Sequence, residues 1–275
     1  MHEVVANGAK IPAIGFGTYG TERSDMLRTL PAALKAGFRH VDTAQIYRNE
    51  MDVGECAASS GIPRSELFLT TKVWVANYPA DRFASSVDQS LRNLRTDYID
   101  LLLLHWPRDG VPLVEQIGLL NETVKSGKVR HIGVSNFNRK LLDQAIRLSA
   151  VPLVTNQFEY HPYLSQSLLA GATRQAGLAV TAYCAMAIGR VLGDPTLAEI
   201  AATHGRSIPQ VVLRWLIQQD GVVALSRTTN PNRLAENLAV FDFELGGDEM
   251  AAILTLADPN GRIVSPPGLA PAWDP

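Results

Sequence analysis

The feature that most constrains the fold is a regular alternation of short apolar runs with longer segments of helical pattern. The runs are apolar over nearly their whole length, as is typical of strands covered on both faces. Strict alternation of strand and helix predicts a parallel sheet. The eight predicted strands are Ala13–Thr18, Phe38–Ala44, Leu67–Val73, Tyr98–His105, Val129–Asn136, Leu153–Phe158, Leu178–Cys184 and Val222–Ser226.

The segments between these runs carry helix start and stop signals. Ser24 is expected to cap a helix that ends before Gly37, with Pro31 causing a kink or an early end. Six further helical segments follow, and we expect the last to break in two near residues 205–207. They are Asn49–Ser60, Pro79–Leu94, Leu113–Ser126, Asn138–Ser149, Ser165–Gln175 and Pro195–Gln219.

The two ends of the chain differ from this alternation. Asn7-Gly8 lies between two short extended runs, which is a strong signal for a two-residue β-hairpin. The tail 258–275 contains five prolines and two glycines and is predicted to form an ordered flap without regular structure. No segment resembles an interdomain linker, and (β/α)₈ barrels reach about 250 residues as one domain. We therefore predict a single domain over residues 1–275, an α/β (β/α)₈ TIM barrel with an N-terminal β-hairpin and a short C-terminal tail.

Charge and cysteine content exclude several classes of function. The chain has 25 Lys+Arg against 27 Asp+Glu, so it lacks the basic excess that binds nucleic acid or anionic membranes. The longest nearly apolar stretch, residues 177–189, is far shorter than the roughly 20 residues needed to span a bilayer. The first residues do not resemble a secretory signal. Only Cys56 and Cys184 occur, which fits a reducing compartment, so we predict a cytoplasmic protein with no nucleic-acid or membrane partner.

Polar side chains follow the predicted strands at the points where the strands end. In parallel barrels, catalytic groups gather at the C-terminal ends of the strands. Any one polar residue at a strand end needs no function, but such residues at seven equivalent ends predict a site. They are Asp42 with Tyr47 in the next loop, Lys72, His105, Ser135 with Asn136, Gln157, Tyr183, and Ser226 with Arg227.

Four of these residues could together reduce a carbonyl group. The pKa of a free tyrosine hydroxyl is roughly 10, and a nearby ammonium such as Lys72 is expected to lower it for Tyr47. Asp42 can hold Lys72 charged and oriented, and His105 can donate a hydrogen bond to a carbonyl oxygen beside the phenol. The set supplies a proton donor next to a polarised carbonyl, which suits reduction once a hydride source is bound. No G-x-S-x-G motif occurs, which argues against a serine hydrolase.

The segment after the eighth predicted strand has the features of a phosphate site. Thr229 or Asn230 is a good N-cap and Pro231 suits a first helical turn. Arg227 and Arg233 bracket this predicted helix N-terminus, where free N–H groups can bind an anion. The loops after the last two strands of such barrels commonly bind phosphate. We predict a nucleotide-phosphate site, and the alternative is a solvent-exposed helix start with two incidental arginines.

Two other interpretations compete with the barrel reductase. Gly15-x-Gly17-x-x-Gly20 followed by Asp42 matches a Rossmann nucleotide motif. The preceding run contains Pro12, however, which cannot donate to a central strand ladder, and eight strand–helix units fit a barrel better.

A metal-dependent hydrolase is the second competing interpretation. His40, Asp42, His105, His131 and His161 could suggest a metal site. A cation would be repelled by Lys72, and His131 comes early in its strand, so we predict no metal.

Longer motifs resemble the aldo-keto reductase superfamily along nearly the whole chain. Its signatures are similar to residues 37–50 (GFRHVDTAQIYRNE), Lys72-Val-Trp, His105-Trp-Pro, residues 127–137 (GKVRHIGVSNF) and residues 156–163 (NQFEYHPY). The tail 262–274 resembles the bacterial 2,5-diketo-D-gluconate reductase B branch.

This resemblance implies an NADPH-dependent enzyme, with NADPH/NADP⁺ as its cofactor, and it assigns further roles. Catalysis would use Asp42, Tyr47, Lys72 and His105, with Tyr47 as the general acid. The residues whose positions match cofactor contacts are Gly17, Thr18, Asp42, Ser135, Asn136, Gln157, Tyr183, Arg227, Thr228, Arg233, Glu236 and Asn237. Substrate contacts would come from Tyr19, Tyr47, Trp74, His105 and Trp106.

Three features depart from the family pattern. Arg227 stands where many relatives carry lysine, residues 184–189 differ from the usual Ser-Pro-Leu-Gly, and residues 108–112 form a short loop. The short loop predicts an open substrate pocket.

We expect a monomeric reductase of small dicarbonyls or keto-sugar acids such as 2,5-diketo-D-gluconate. The alternative is a nucleotide-binding sensor or regulatory barrel without significant turnover.

Overall fold

Eight parallel strands close into a barrel, as the alternation predicted. The computed structural model of the chain describes residues 2–274. Its first two strands, β1 (Glu3–Ala6) and β2 (Ala9–Pro12), form an antiparallel hairpin, and β3 to β10 form the closed barrel, with β10 pairing to β3. The barrel strands are β3 (Ile14–Gly17), β4 (His40–Asp42), β5 (Phe68–Val73), β6 (Ile99–Leu104), β7 (Val129–Ser135), β8 (Leu153–Glu159), β9 (Ala179–Tyr183) and β10 (Val222–Ser226).

Ten α-helices accompany the strands in residues 2–274. They are α1 (Arg23–Ala36), α2 (Glu50–Ser59), α3 (Ala80–Leu94), α4 (Leu113–Lys125), α5 (Arg139–Leu148), α6 (Ser167–Gln175), α7 (Pro195–His204), α8 (Ile208–Gln218), α9 (Leu234–Leu238) and α10 (Gly247–Leu254). None of them is long and apolar enough to cross a bilayer.

Helix α3 shows how an amphipathic helix covers the barrel with one face. In α3, the buried side chains are Phe83, Val87, Ser90 and Leu94, spaced by three or four residues, so they lie on one face. The predicted break between α7 and α8 is confirmed. It occurs where Gly205 adopts the left-handed conformation (φ +60°) and Ser207 begins a capping box.

Two helix expectations require correction, and one helix was not predicted. The first helix begins at Arg23 with Glu22 as its N-cap, so Ser24 lies inside the helix rather than capping it. Pro31 does not end that helix, which continues to Ala36 and stops at Gly37. The sequence analysis also missed α10, whose apolar pattern spans only two turns.

Gly15 serves the packing of the barrel rather than a nucleotide loop. A Cβ added to Gly15 would lie 2.7 Å from both His40 Nδ1 and Leu225 Cδ2, side chains of the two flanking strands. The close approach of β4 and β10 to β3 therefore requires glycine at this position. The Rossmann interpretation of this glycine pattern is wrong, because Gly15 and Gly17 lie within a barrel strand.

The hairpin and the tail lie at opposite ends of the barrel. Asn7 Nδ2 donates to the carbonyl of Leu153, the first residue of β8, which places the hairpin turn at the N-terminal end. The tail contacts the C-terminal end, where Arg108 Nη1 donates to Gly268 O and Asn138 Nδ2 donates to Ala272 O. The side chains that follow the strands therefore lie at the end covered by the tail.

Candidate active site

Four polar side chains meet at the C-terminal end of neighbouring strands. Asp42 is the last residue of β4, Lys72 is the penultimate residue of β5, and His105 directly follows β6. Tyr47 ends a 3₁₀ turn over Gln45–Tyr47. Because β4, β5 and β6 are adjacent and parallel, these residues reach one edge of the barrel together.

Lys72 lies at the centre of this group. Its Nζ donates to Asp42 Oδ1 at 2.5 Å and to Thr43 O at 2.9 Å, and lies 3.5 Å from the Tyr47 hydroxyl oxygen. The Lys72 side chain is fully buried. A buried ammonium requires compensating partners, and Asp42 with Thr43 supplies them.

Asp42 is held on both oxygens. Oδ1 accepts from Lys72 and Oδ2 accepts from Gln157 Nε2 at 2.8 Å, across the barrel from β8. Its backbone carbonyl accepts from the hydroxyl and the amide N–H of Thr18. The carboxylate is therefore fixed in orientation before any ligand is considered.

The expected direction of the Tyr47 pKa is wrong. Burial raises the pKa of the Tyr47 hydroxyl well above 10, and the negative charge of Asp42 raises it further. Burial also lowers the pKa of Lys72, against the opposing effect of Asp42. Desolvation of the phenol outweighs the effect of the nearby ammonium, whose charge is offset by Asp42.

His105 is held neutral at this site. Burial lowers its pKa well below 6.5, and the charge of Lys72 lowers it further. Its ring packs edge-on against Tyr47 at 5.6 Å and Trp74 at 5.4 Å between ring centroids. Nδ1 is buried and has no hydrogen-bond partner among residues 2–274. A neutral imidazole keeps one N–H to donate to a substrate oxygen.

A cluster of amides and hydroxyls lies beside His105. Asn136 Nδ2 donates to His105 O at 3.0 Å and to Ser135 Oγ at 3.1 Å, while Asn136 Oδ1 accepts from the Tyr183 hydroxyl at 2.7 Å. Ser135 Oγ donates to Gln157 O at 2.9 Å. The structure therefore brings together four of the residues for which the family resemblance implies cofactor contacts, namely Ser135, Asn136, Gln157 and Tyr183.

The three predicted substrate-lining aromatic residues differ in exposure. Tyr19 is 69% exposed and packs against Tyr47 at 5.1 Å between centroids, while Trp74 is half-buried against His105. Trp106 is only 6% exposed, and its ring packs on Trp273 of the tail. The sequence analysis missed Trp273 as a neighbour of the site, because a tryptophan in an irregular tail carries no periodic signal.

A buried carboxylate fastens the tail to β8. Glu159 Oε1 accepts from the N–H of Ile263 and from His161 Nε2, and Oε2 accepts from the N–H of Val264. Burial alone would raise the pKa of Glu159, but these hydrogen bonds outweigh it and lower the pKa. The guanidinium of Arg262 lies over the Trp273 ring at 3.8 Å. None of these roles was assigned from the sequence.

Two further residues missed by the sequence analysis support the turn that carries Tyr47. Gln45 Oε1 accepts from the N–H of Trp74 at 2.9 Å and from Asn77 Nδ2 at 2.8 Å. Asn49 Nδ2 donates to Thr18 O, and its Oδ1 accepts from the Thr43 hydroxyl. In the sequence, the closeness of Gln45 and Asn49 to Tyr47 along the chain was the one signal of this supporting role.

The helix in the predicted phosphate-binding segment is shorter than expected. Asn230 caps a 3₁₀ turn over Pro231–Arg233, and α9 adds only five residues, so the helix itself offers little dipole. Arg227 and Arg233 are exposed, and Arg227 Nη2 donates to Gly20 O at 2.8 Å. Glu236 is half-buried, and Asn237 is buried with its Nδ2 on Ser226 Oγ. The positive charge of this loop therefore comes from its two exposed arginines and not from the N-terminus of a long helix.

The residues present fit a nicotinamide nucleotide. The amide cluster offers donors and acceptors beside the half-buried ring of Tyr183, and the two exposed guanidinium groups lie beyond β10, the next strand of the barrel. The Arg227 guanidinium can bind an anion through two N–H groups. The Thr228 hydroxyl, which accepts from the N–H of Asn230, can donate one hydrogen bond to the same anion.

The metal interpretation finds no support in the histidine contacts. Burial lowers the pKa of His40 to about 4, and its Nε2 is bonded to Thr70 Oγ1. His161 is bonded to Glu159. In residues 2–274, no three His, Cys, Asp or Glu side chains are grouped to hold a metal ion.

Comparison with known proteins shows the family. The chain matches the model of the Aldo/keto reductase family over residues 13–258. Methylglyoxal reductase DkgB of Salmonella typhi is 42% identical over 267 residues, covering 96% of this chain and 99% of that protein. Morphine 6-dehydrogenase of Pseudomonas putida is 39% identical over 261 residues, covering 90% of this chain and 88% of that protein.

Solved structures agree with this assignment. A crystal structure provisionally named 2,5-diketo-D-gluconic acid reductase B superposes with a TM-score of 0.99 at 58% identity, covering 100% of this chain and 98% of that chain. The aldo-keto reductase of Bombyx mori in complex with NADP superposes with a TM-score of 0.86 at 32% identity, covering 92% and 91%. The chain therefore belongs to the aldo/keto reductase family, and it is an NADPH-dependent oxidoreductase that reduces carbonyl groups.

Proposed function

We propose that the chain reduces small dicarbonyls and keto-sugar acids, with Tyr47 as the general acid. The observation that carries this proposal is the placement of the Tyr47 hydroxyl 3.5 Å from Lys72 Nζ, beside the neutral ring of His105. The names of the relatives, methylglyoxal reductase and 2,5-diketo-D-gluconic acid reductase B, support this substrate class.

Each of the four polar residues has a separate task in the proposed mechanism. His105 donates a hydrogen bond to the substrate carbonyl oxygen and orients it toward Tyr47. NADPH, when bound, supplies the hydride. Tyr47 gives its proton to the same oxygen, and Lys72 stabilises the phenolate that forms. Asp42 keeps Lys72 charged and in place.

The raised pKa of Tyr47 is compatible with this role. A phenol that stays protonated near neutral pH is ready to donate, and the proton leaves only as negative charge develops on the substrate oxygen. Lys72 lies close enough to stabilise the resulting phenolate at that moment. Tyr47 therefore acts as an acid in reduction, and its phenolate acts as the base in the reverse direction.

The proposed cofactor contacts follow the edge of the barrel. Ser135, Asn136 and Gln157 would hold the carboxamide, and the ring of Tyr183 would stack on the nicotinamide. Arg227, Thr228 and Arg233 would hold the 2′-phosphate, with Glu236 and Asn237 toward the adenine. Gly17 and Thr18 would lie on the ribose side, and Thr18 also holds the backbone of Asp42.

The proposed substrate pocket is open toward solvent. Tyr19 and Trp74 would flank the carbonyl beside Tyr47 and His105, and Trp106 would form the wall backed by the tail. A small, polar dicarbonyl suits a site that is open beside the exposed Tyr19, because it needs few apolar contacts. Larger aldehydes would extend past Tyr19.

The test is a substrate panel assayed by NADPH consumption. Methylglyoxal, 2,5-diketo-D-gluconate and an aromatic aldehyde should be assayed separately with NADPH and with NADH. We expect the dicarbonyls to give higher kcat/KM than the aromatic aldehyde, and NADPH to be preferred. Binding of NADPH without turnover of any panel member would instead support the nucleotide-binding sensor, which the names of the relatives do not favour.

We also propose that the chain acts in the cytoplasm as a monomer built from one domain over residues 1–275. Two free cysteines, one of them buried, and a net charge of −2 support this assignment. Light scattering after gel filtration should give a mass near 29.9 kDa, and fractionation should place the protein with cytoplasmic enzymes. A mass twice that value would contradict the monomer.

A further inference from the structure

The hydroxyl of Tyr183 is linked to His105 through one side-chain amide. Tyr183 donates to Asn136 Oδ1 at 2.7 Å, and Asn136 Nδ2 donates to the backbone carbonyl of His105 at 3.0 Å. Tyr183 ends β9 and His105 follows β6, so the two hydrogen bonds connect opposite sides of the amide cluster. The stacking role proposed for Tyr183 uses its ring and leaves this hydroxyl unexplained.

The orientation of the Asn136 amide follows from its partners. A backbone carbonyl can only accept, so the amide nitrogen must face His105 O, and the amide oxygen must face Tyr183. Burial raises the pKa of the Tyr183 hydroxyl well above 10, so it remains a donor. A donor aimed at Oδ1 stabilises this amide orientation over the reversed one.

The backbone of Asn136 cannot adjust easily. Its φ of +63° places it in the left-handed region, and its N–H donates to Gln157 O at 2.8 Å. Asn136 is 1% exposed, so no solvent can replace a lost partner of its amide without opening the cluster. The hydroxyl of Tyr183 and the carbonyl of His105 therefore fix the same amide orientation together, one by donating to Oδ1 and the other by accepting from Nδ2.

His105 depends on this amide because its own ring has few polar contacts. The N–H of His105 donates to Val73 O at 3.2 Å, and its carbonyl accepts from Asn136, so both backbone groups are anchored just past the end of β6. The imidazole Nδ1 has no partner among residues 2–274, and the ring is otherwise held by Tyr47 and Trp74. The direction in which the ring projects is thus set largely by the backbone.

We propose that the Tyr183 hydroxyl is a positioning group for His105, acting through the Asn136 amide, in addition to any contact of the Tyr183 ring with the cofactor. This inference rests on the proposed role of His105 in orienting the substrate carbonyl. Loss of the hydroxyl alone should impair substrate orientation and turnover while the ring still supports cofactor binding.

The variant Tyr183→Phe tests the proposal because it keeps the ring and removes the hydroxyl. We expect kcat/KM for methylglyoxal to fall about tenfold, since a small displacement of an orienting group is costly. The Kd for NADPH, measured by fluorescence titration, should rise by a smaller factor than kcat/KM falls, because the stacking ring of Tyr183 is retained and the disturbed Asn136 amide is only one of the proposed cofactor contacts. A hydroxyl with no positioning role would leave both quantities unchanged.

Tyr160→Phe is the matched control. The Tyr160 hydroxyl also donates to an amide oxygen at 2.7 Å, that of Gln219, and Tyr160 directly follows β8. Both variants lose one hydroxyl-to-amide hydrogen bond, so a general loss of stability should affect both. Equal losses of kcat/KM in the two variants would overturn the proposal.

A second measurement reports on the linkage without turnover. With ¹³C-carbonyl histidine, the resonance of His105 can be assigned as the one missing in His105→Gln. We expect this resonance to shift in Tyr183→Phe and not in Tyr160→Phe, because only the former disturbs the hydrogen bond from Asn136. An unchanged resonance in Tyr183→Phe would also overturn the linkage.

The two proposals fail in different ways. If His105→Gln retains full kcat/KM, the proposed role of His105 is wrong, whatever Tyr183→Phe does. If His105→Gln is inactive and Tyr183→Phe has normal kcat/KM, the reductase mechanism stands and the positioning role is wrong.

Discussion

The ammonium of Lys72 lies 2.5 Å from Asp42 Oδ1, with the two side chains 0% and 3% exposed. Two opposite charges in the interior must compensate one another, because neither can be hydrated. This pair fixes the centre of the site in the absence of any ligand. It also explains why the Lys72 charge does not lower the pKa of Tyr47, since Asp42 offsets it.

Lys72→Met should destabilise the protein as well as inactivate it. The substitution leaves the Asp42 carboxylate buried without its cation, and breaking such a pair costs about 3–5 kcal/mol. Urea denaturation should show this loss in the free energy of unfolding at pH 7. The double variant Asp42→Asn, Lys72→Met should regain much of the stability but no activity. Equal stability of the single and double variants would contradict the coupling.

Tyr47→Phe should remove turnover and spare cofactor binding. Loss of a general acid typically costs 10²- to 10⁴-fold, and we expect kcat to fall by about that factor. The phenyl ring retains the contacts with Tyr19 and His105, so the Kd for NADPH should change by less than about twofold. Retention of normal kcat would exclude Tyr47 as the proton donor.

The pH dependence of reduction should be flat through neutrality. Reduction needs the protonated phenol of Tyr47, whose pKa is raised well above 10, and the neutral imidazole of His105, whose pKa is well below 6.5. Neither group changes protonation from about pH 7 to about pH 9, so kcat/KM for reduction should stay constant there. Alcohol oxidation needs the phenolate, and its rate should rise with pH. A fall in reduction as the pH rises through neutrality would contradict the assignment of Tyr47, and a fall as the pH drops through neutrality would contradict that of His105.

Arg227→Gln and Arg233→Gln should weaken NADPH binding selectively. Each guanidinium is expected to bind the 2′-phosphate, and losing one charge-assisted contact of about 1.5 kcal/mol raises Kd about tenfold. The Kd for NADH, which lacks that phosphate, should change by less than about twofold in the same titrations. Parallel loss of affinity for both nucleotides would indicate that the arginines support the loop instead.

Glu159→Gln should loosen the tail. The carboxylate accepts from two tail N–H groups and from His161, and replacing a buried charged acceptor typically costs about 1–3 kcal/mol. Limited proteolysis should cleave the variant within residues 258–274 faster than the unmodified protein. Glu122→Gln, which makes the same change at an exposed carboxylate of α4, offers the matched control.

The effect of acid on the attachment of the tail follows from the direction in which the pKa of Glu159 is shifted. A carboxylate whose pKa is lower in the folded state contributes stability above its unfolded pKa. That contribution is lost as the pH falls through the lowered pKa. Cleavage of the tail in the unmodified protein should therefore accelerate below about pH 4, and the variant Glu159→Gln should show a smaller change.

Most of the fold could be predicted from periodicity because the barrel strands are buried on both faces. Leu101–Leu104 has no polar residue, as is typical of a strand covered on both sides, and all four side chains are buried. The helix boundaries were less predictable. Glu22 precedes α1 without a side-chain capping bond, so Ser24 gave a misleading signal, and α10 is too short to show a period.

The candidate site was predictable where it depends on strand ends and unpredictable where it depends on long-range contacts. Asp42, Lys72 and His105 follow apolar runs and were found by position. Glu159 and Trp273 act through contacts between β8, the tail and the loop after β6, which no local pattern encodes. The direction in which the pKa of Tyr47 shifts could not be predicted either, because it depends on how much water the fold removes from the phenol.

The hydrogen bond between Gln157 and Asp42 has a consequence for the order of events in folding. It joins residues 115 positions apart in the chain, from strands on different sides of the barrel. Contacts of such sequence separation form late, after the entropy of closing the intervening loop has been overcome. During refolding, helical circular dichroism should therefore recover before activity does. The recovery of enzyme activity would then report when the barrel closes, while circular dichroism would report when its helices form.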